Sequence, residues 1–125
     1  MNRTFLALGA LLTLLGVIFG AFGAHAVRGH VSPLMYSVYE TAVQYQFYHA
    51  LGLMLIGVSA AHLDARGWLR AAGWLMFAGV ILFSGSLYLL TLVGTRWLGV
   101  LTPLGGTALI AAWILYFVAI VRSRG

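Results

Sequence analysis

Cysteine and lysine are absent from this 125-residue chain, and its only acidic residues are Glu40 and Asp64. Without cysteine there is no disulfide, no thiolate nucleophile and no Cys-ligated metal. Charged residues make up 7% of the sequence, against roughly one quarter in a soluble domain. No polar segment is long enough to fold as a soluble unit. The seven basic residues are all arginines. They are scattered singly rather than gathered into a nucleic-acid-binding patch, so no nucleic-acid partner is expected.

What the chain has in abundance is apolar sequence, 62% hydrophobic with a mean hydropathy of +1.01. Phe5–Ala24, Ala71–Val93 and Gly99–Val121 carry no charge, and a fourth stretch, Thr41–Ala61, is interrupted only by Gln44, Gln46, His49 and Ser59. About twenty such residues cross a bilayer core as a helix. The runs are continuous rather than alternating, which favours helices over a membrane β-barrel. The expected fold is an all-α membrane protein, one membrane domain over 1–125, with four transmembrane helices at about 4–26, 33–61, 69–93 and 99–122. Met1-Asn2-Arg3, the first apolar run and Ala24-His25-Ala26 together look like a signal peptide with its cleavage site. That run exceeds the 7–15 residues, roughly, of a signal core, so a retained first helix is expected.

Arginine placement sets the orientation. Arg3, Arg66, Arg70, Arg122 and Arg124 fall in segments that share one side of a four-span protein; Arg28 and Arg96 fall on the other. The positive-inside rule then puts both termini in the cytoplasm. Trp68 and Trp97 stand beside opposite loops, as interfacial anchors do, and Tyr36 and Tyr39 suit the outer interface. The two prolines follow hydroxyl residues, Ser32-Pro33 and Thr102-Pro103. Each pair reads as an N-cap and first turn of a helix.

Gly9, Gly16 and Gly23 recur every seven residues on the first helix, and Gly16 with Gly20 forms a GxxxG. Such residues let helix backbones approach closely in lipid. Gly105 and Gly106 give the fourth helix a small face as well. Packing within the chain is the expected use of these glycines, with a homo-oligomer as the alternative.

Polar groups in a bilayer are costly, so their positions carry information. His25 ends the first helix; Glu40, Gln44, Tyr48 and His49 lie on the second; Ser84, Ser86 and Tyr88 lie on the third; Thr102 opens the fourth. Glu40 lies roughly 10 Å from the middle of a 33–61 helix. Apart from the deeper His49, all these groups fall in the half of the membrane that faces outward. They form the expected ligand-binding cluster. Glu40, Gln44 and Tyr48 share one helical face. Glu40 either serves the ligand-binding cluster or pins the bundle by an ion pair or hydrogen bond to His25, Arg28 or Arg96, and His49 is expected to bond a neighbouring helix. Thr13 can bond its own backbone.

Specific chemistries find little support. His25 and His49 differ in depth, which disfavours bis-histidine haem. His25, Glu40 and His30 follow no metal-ligand spacing. There is no G-x-S-x-G nucleophile and no phosphate loop. Neither a cofactor nor a metal is expected.

Four motifs in order, Gly20-Ala21-Phe22-Gly23-Ala24-His25-Ala26, Tyr45-Gln46-Phe47-Tyr48-His49-Ala50-Leu51, Phe83-Ser84-Gly85-Ser86-Leu87-Tyr88 and Thr102-Pro103-Leu104-Gly105-Gly106, resemble the YgdD-type small bacterial inner-membrane proteins, domain of unknown function 423. The resemblance covers nearly the whole chain and implies a four-helix inner-membrane protein; it implies no activity.

The functional expectation is a non-enzymatic binding or accessory protein of the bacterial inner membrane. Its outward polar cluster would hold a lipid, a quinone-like amphiphile or a partner in a larger membrane complex. The alternative is a small proton- or ion-linked transporter or channel, oligomeric, with Glu40 and His49 titrating. A membrane enzyme using His25 and Glu40 is the third reading.

Overall fold

The structure, a computed structural model, describes residues 1–94 and 96–123, apart from the Arg96 side chain. Arg124, which contributes to the expected charge asymmetry, lies outside the described residues. Four helices follow one another: α1 Arg3–Phe22, α2 Pro33–Ser59, α3 Arg66–Val93 and α4 Leu101–Arg122. α1 runs on into a π-helical turn, Gly23–Val27, and a 3₁₀ turn, Arg96–Val100, leads into α4.

The ends of the helices follow local chemistry. Asn2 Oδ1 accepts from the Phe5 N–H, and Ser32 Oγ accepts from the Met35 N–H with Pro33 behind it. These side chains satisfy amide donors that have no partner within the helix. Gly94, at φ 76°, closes α3 in the left-handed conformation that glycine adopts without strain. Thr102 does not cap α4. The helix starts at Leu101, and the Thr102 hydroxyl instead bonds Ser86 Oγ at 2.7 Å. α3 begins at Arg66, so Arg66 and Gly67 belong to the helix rather than to the middle loop.

Successive helices are antiparallel. The Asn2 N–H donates to the Gly57 carbonyl at 2.9 Å, while at the far end Tyr39 reaches Phe19. Ser84 on α3 meets Ala42 on α2, and Phe83 meets Gly105 on α4. The N-terminal end of α1 and the C-terminal end of α4 therefore lie at the same end of the bundle. There the Asp64 N–H donates to Ser123 Oγ at 2.9 Å and Arg122 lies over the Trp68 ring at 5.7 Å.

The core gathers Phe5 and Leu12 from α1, Leu53 and Ile56 from α2, Met76 and Val80 from α3, and Leu109 and Ala112 from α4. Small residues set its spacing. A Cβ on Gly9 would lie 2.3 Å from Met54 Cγ, on Gly23 2.4 Å from the Tyr39 ring, and on Gly105 2.4 Å from the Phe83 nitrogen. A Cβ on Gly16 would lie 3.0 Å from the Phe47 ring. Gly20 and Gly106 differ, because the nearest atoms to their Cβ positions are 3.6 and 3.7 Å away, an ordinary contact. Gly73 was not singled out from sequence, yet it is among the tightest, with the Phe5 ring 2.2 Å from its Cβ position.

Candidate functional site

The polar residues of the helices do not form one cluster. They divide into a buried set that locks helices together and an exposed set along the outer face of α2.

Gln46 anchors the buried set, with 2% of its surface exposed. Its Nε2 donates to the Leu12 carbonyl at 2.7 Å, and its Oε1 accepts from the Tyr88 hydroxyl. One amide thus ties α2 to both α1 and α3. The Tyr39 hydroxyl donates to the Phe19 carbonyl at 2.6 Å. The Tyr88 ring stands edge-on to both Phe19 and Tyr39. Ser84 Oγ donates to the Ala42 carbonyl at 2.8 Å, and Ser86 with Thr102 joins α3 to α4. Among the described residues no buried side-chain nitrogen or oxygen lacks a partner. A buried set in which every atom has a partner has the form of interhelical fastening.

His49 is also buried, but its Nδ1 faces the Tyr45 carbonyl of its own helix at 2.7 Å, not a neighbouring helix as expected. Its ring lies near those of Tyr45 and Trp113. Nδ1 therefore carries the proton, and the ring serves to fill the space between α2 and α4.

The exposed set is His25, Glu40, Gln44 and Tyr48. Glu40, Gln44 and Tyr48 are spaced by four on α2 and form an outward stripe. No ion pair to Glu40 exists among the described residues, His25 and Arg28 included. Arg96, the third expected partner, has a side chain outside the described residues. Beside the stripe a small cleft of about 140 Å³ opens between α1 and α2, lined by Gly20, Tyr36, Tyr39, Glu40, Val43 and Gln44. The open space at Gly20 forms part of this notch.

Glu40 and His49 are nine positions apart, about 180° around the helix. They stand on opposite faces of α2, one exposed and one buried. The fold therefore does not bring the expected titrating pair together on one face of α2. Tyr39, expected at the outer interface, is 3% exposed. Gln46 and Tyr39 are the residues that sequence reasoning passed over. Their signal was spacing, since Tyr39, Gln46, His49 and Leu53 fall at the 3- and 4-residue intervals of a core-facing stripe, whereas Gln44 does not.

Among the described residues three helical stretches are long and apolar enough to cross a membrane: Arg3–Val27, Arg66–Val93 and Trp97–Arg122. α2 is not among them, because Glu40, Gln44, Gln46 and His49 dilute its apolar content. The profile of the protein family of unknown function DUF423 matches residues 19–106, which hold the notch, the stripe and the polar side chains of the buried fastening. The chain belongs to this family. This DUF423 protein is 48% identical over 120 residues to the UPF0382 membrane protein YwdK of Bacillus subtilis strain 168, covering 96% of this chain and 98% of that one. It is 46% identical over 127 residues to the UPF0382 membrane protein SH2409 of Staphylococcus haemolyticus strain JCSC1435, covering 98% and 99% of the two chains. A third relative, the UPF0382 membrane protein SAB0533 of Staphylococcus aureus, is 44% identical over 127 residues, with 98% and 99% covered. No solved structure matches. The chain is a membrane protein, and the name of none of these relatives assigns an activity.

Proposed function

We propose that this protein is a non-enzymatic accessory protein of the bacterial inner membrane, which seats a partner's transmembrane helix on the outer face of α2. All four helices cross the bilayer in this reading, with both termini cytoplasmic. α2 runs antiparallel along α1 from the Asn2–Gly57 contact to the Tyr39–Phe19 contact. It thus spans the same depth as a neighbour apolar enough to cross. Arg3, Arg66, Arg70, Arg122 and Arg124 on the side of the termini, against Arg28 and Arg96, support the orientation.

The observation that carries the reading is the exposed carboxamide of Gln44. It lies two residues from the centre of α2, about 3 Å from the midplane. The hydrocarbon core extends about 15 Å to either side. Glu40, about 9 Å from the middle, leans toward the N-terminal end of its helix and can approach the headgroups. Gln44 is too deep to do so. An amide facing lipid leaves two donors and an acceptor unsatisfied, and a neighbouring helix satisfies them. The notch at Gly20 lets that helix approach. A second copy fits less well, since a two-fold axis along the membrane normal brings like residues together, Glu40 included. The partner is therefore a different protein carrying a donor or cation at that depth.

The test is Gln44→Leu. It is expected to leave the isolated protein as stable as the parent while abolishing co-purification of a membrane partner under mild extraction. Retention of the same partner by the variant contradicts the proposal.

A further inference from the structure

At the opposite end from the notch, α1, the end of α2 and the start of α3 spread around a cleft of about 710 Å³. Its size is that of a small-molecule site. Three arginines line it: Arg3 from the first turn of α1, and Arg66 and Arg70 from the first turns of α3. None of them forms an ion pair among the described residues. Asp64 also lines the cleft, so three guanidiniums oppose one carboxylate. The amides at the start of α3 add to the positive field, because Ala65, at the cap position, supplies no side-chain acceptor to them.

Below the arginines the lining becomes apolar, with Phe5, Ile56 and Leu69. Arg66, Arg70 and Trp74 are spaced by four along α3, which makes one stripe descending from charge to ring. Trp74 is 47% exposed, yet it meets the Phe5 ring edge-on at 5.3 Å and Phe77 at 6.3 Å. Cations at the membrane surface above an indole one turn deeper, beside an apolar groove, match an amphiphile with an anionic head.

We infer that this cleft is a binding site for an anionic phospholipid. Arg3, Arg66 and Arg70 hold its phosphodiester, and its acyl chains descend past Trp74. Guanidinium forks match phosphate oxygens in pairs, and basic pockets between transmembrane helices suit such headgroups. The apolar floor selects a lipid over a free phosphate ester. The inference requires only that α1 and α3 cross the membrane, and it is independent of any partner on α2.

The experiment uses the full chain in a zwitterionic detergent, with phosphatidylglycerol and phosphatidylcholine added in equal amounts. Lipid retained on the protein is counted by native mass spectrometry. Phosphatidylglycerol is expected to be retained over phosphatidylcholine. Each arginine near the headgroup contributes about 5-fold to retention, so Arg66→Gln with Arg70→Gln should lower it about 25-fold. Arg122→Gln, at the same end but outside the cleft, should leave retention unchanged. Inorganic phosphate in excess should not displace the lipid. Equal retention of the two lipids overturns the inference, as does unchanged retention in the double variant. An equal loss with Arg122→Gln shows bulk charge attraction only, and displacement by phosphate shows a site for a soluble anion; either also overturns it. Helix content and melting temperature verify that the double variant folds. If it does not, Arg3→Gln, on a different helix, should lower retention about 5-fold.

Discussion

Replacing Gln46 with leucine should destabilise the bundle, and replacing Tyr88 with phenylalanine in the same chain should return part of that loss. The Gln46 amide holds the Leu12 carbonyl and the Tyr88 hydroxyl at once. In Gln46→Leu the Leu12 carbonyl keeps its own helical bond, so its loss is modest, about 0.6 kcal/mol as for an average interhelical bond in a membrane. The Tyr88 hydroxyl fares worse. Its ring is held edge-on to Phe19 and Tyr39, at 5.1 and 5.2 Å, and its partner is gone. An unsatisfied buried hydroxyl costs about 1–3 kcal/mol. Gln46→Leu is therefore expected to cost about 2–3 kcal/mol, and Tyr88→Phe about 1 kcal/mol. In the double variant no hydroxyl is stranded, so the total should fall short of the sum by about 1 kcal/mol. Unfolding by titration with a denaturing detergent in mixed micelles reads all four proteins of the cycle. Additivity within about 0.3 kcal/mol would refute the reasoning. Destabilisation by Gln44→Leu as large as that by Gln46→Leu would refute the division into inward and outward amides.

The glycines give a second contrast in the same assay. Gly105→Ala pushes a methyl into the Phe83 backbone and should cost about 1–3 kcal/mol by overpacking, whereas Gly20→Ala, with room to spare, should be close to neutral. For topology, cysteine placed at His62 should react with a membrane-impermeant maleimide only after the membrane is opened, and cysteine at Gly29 should react in intact spheroplasts. The reverse labelling contradicts the cytoplasmic placement of the termini. These tests have a clean background because the chain has no native cysteine.

α1, α3 and α4 were legible because length and continuous apolarity constrain such a segment so strongly. Their ends were less so. Thr102-Pro103 has the chemistry of a cap, but a 3₁₀ turn already leads into α4 and Ser86 competes successfully for the Thr102 hydroxyl. Depth could be counted along the sequence, and it placed Ser84, Ser86, Tyr88 and Thr102 near one another. Rotation could not be counted as readily. α2 is polar on two faces, and the even spacing of Glu40, Gln44 and Tyr48 does not tell which of them faces outward. The offset residues, Tyr39 and Gln46, are the ones that turn inward. The glycine heptad at Gly9, Gly16 and Gly23 marks the α1–α2 contact because seven residues are nearly two helical turns. Gly20 falls off that line and opens to the notch. The arginine cleft left no motif, since Arg3 is far in sequence from Arg66 and Arg70, and only the antiparallel register brings them to one end.

The central claim is that the outer face of α2 is covered by another protein. A photo-reactive residue at position 44, irradiated in intact membranes, tests it directly. Position 14 on α1, also exposed and near mid-membrane, serves as the lipid-facing control. One discrete heterologous adduct is expected from position 44, lost when Gly20 is enlarged to leucine to fill the notch, and none from position 14. Adducts to lipid alone, or only to a second copy of this chain, contradict it.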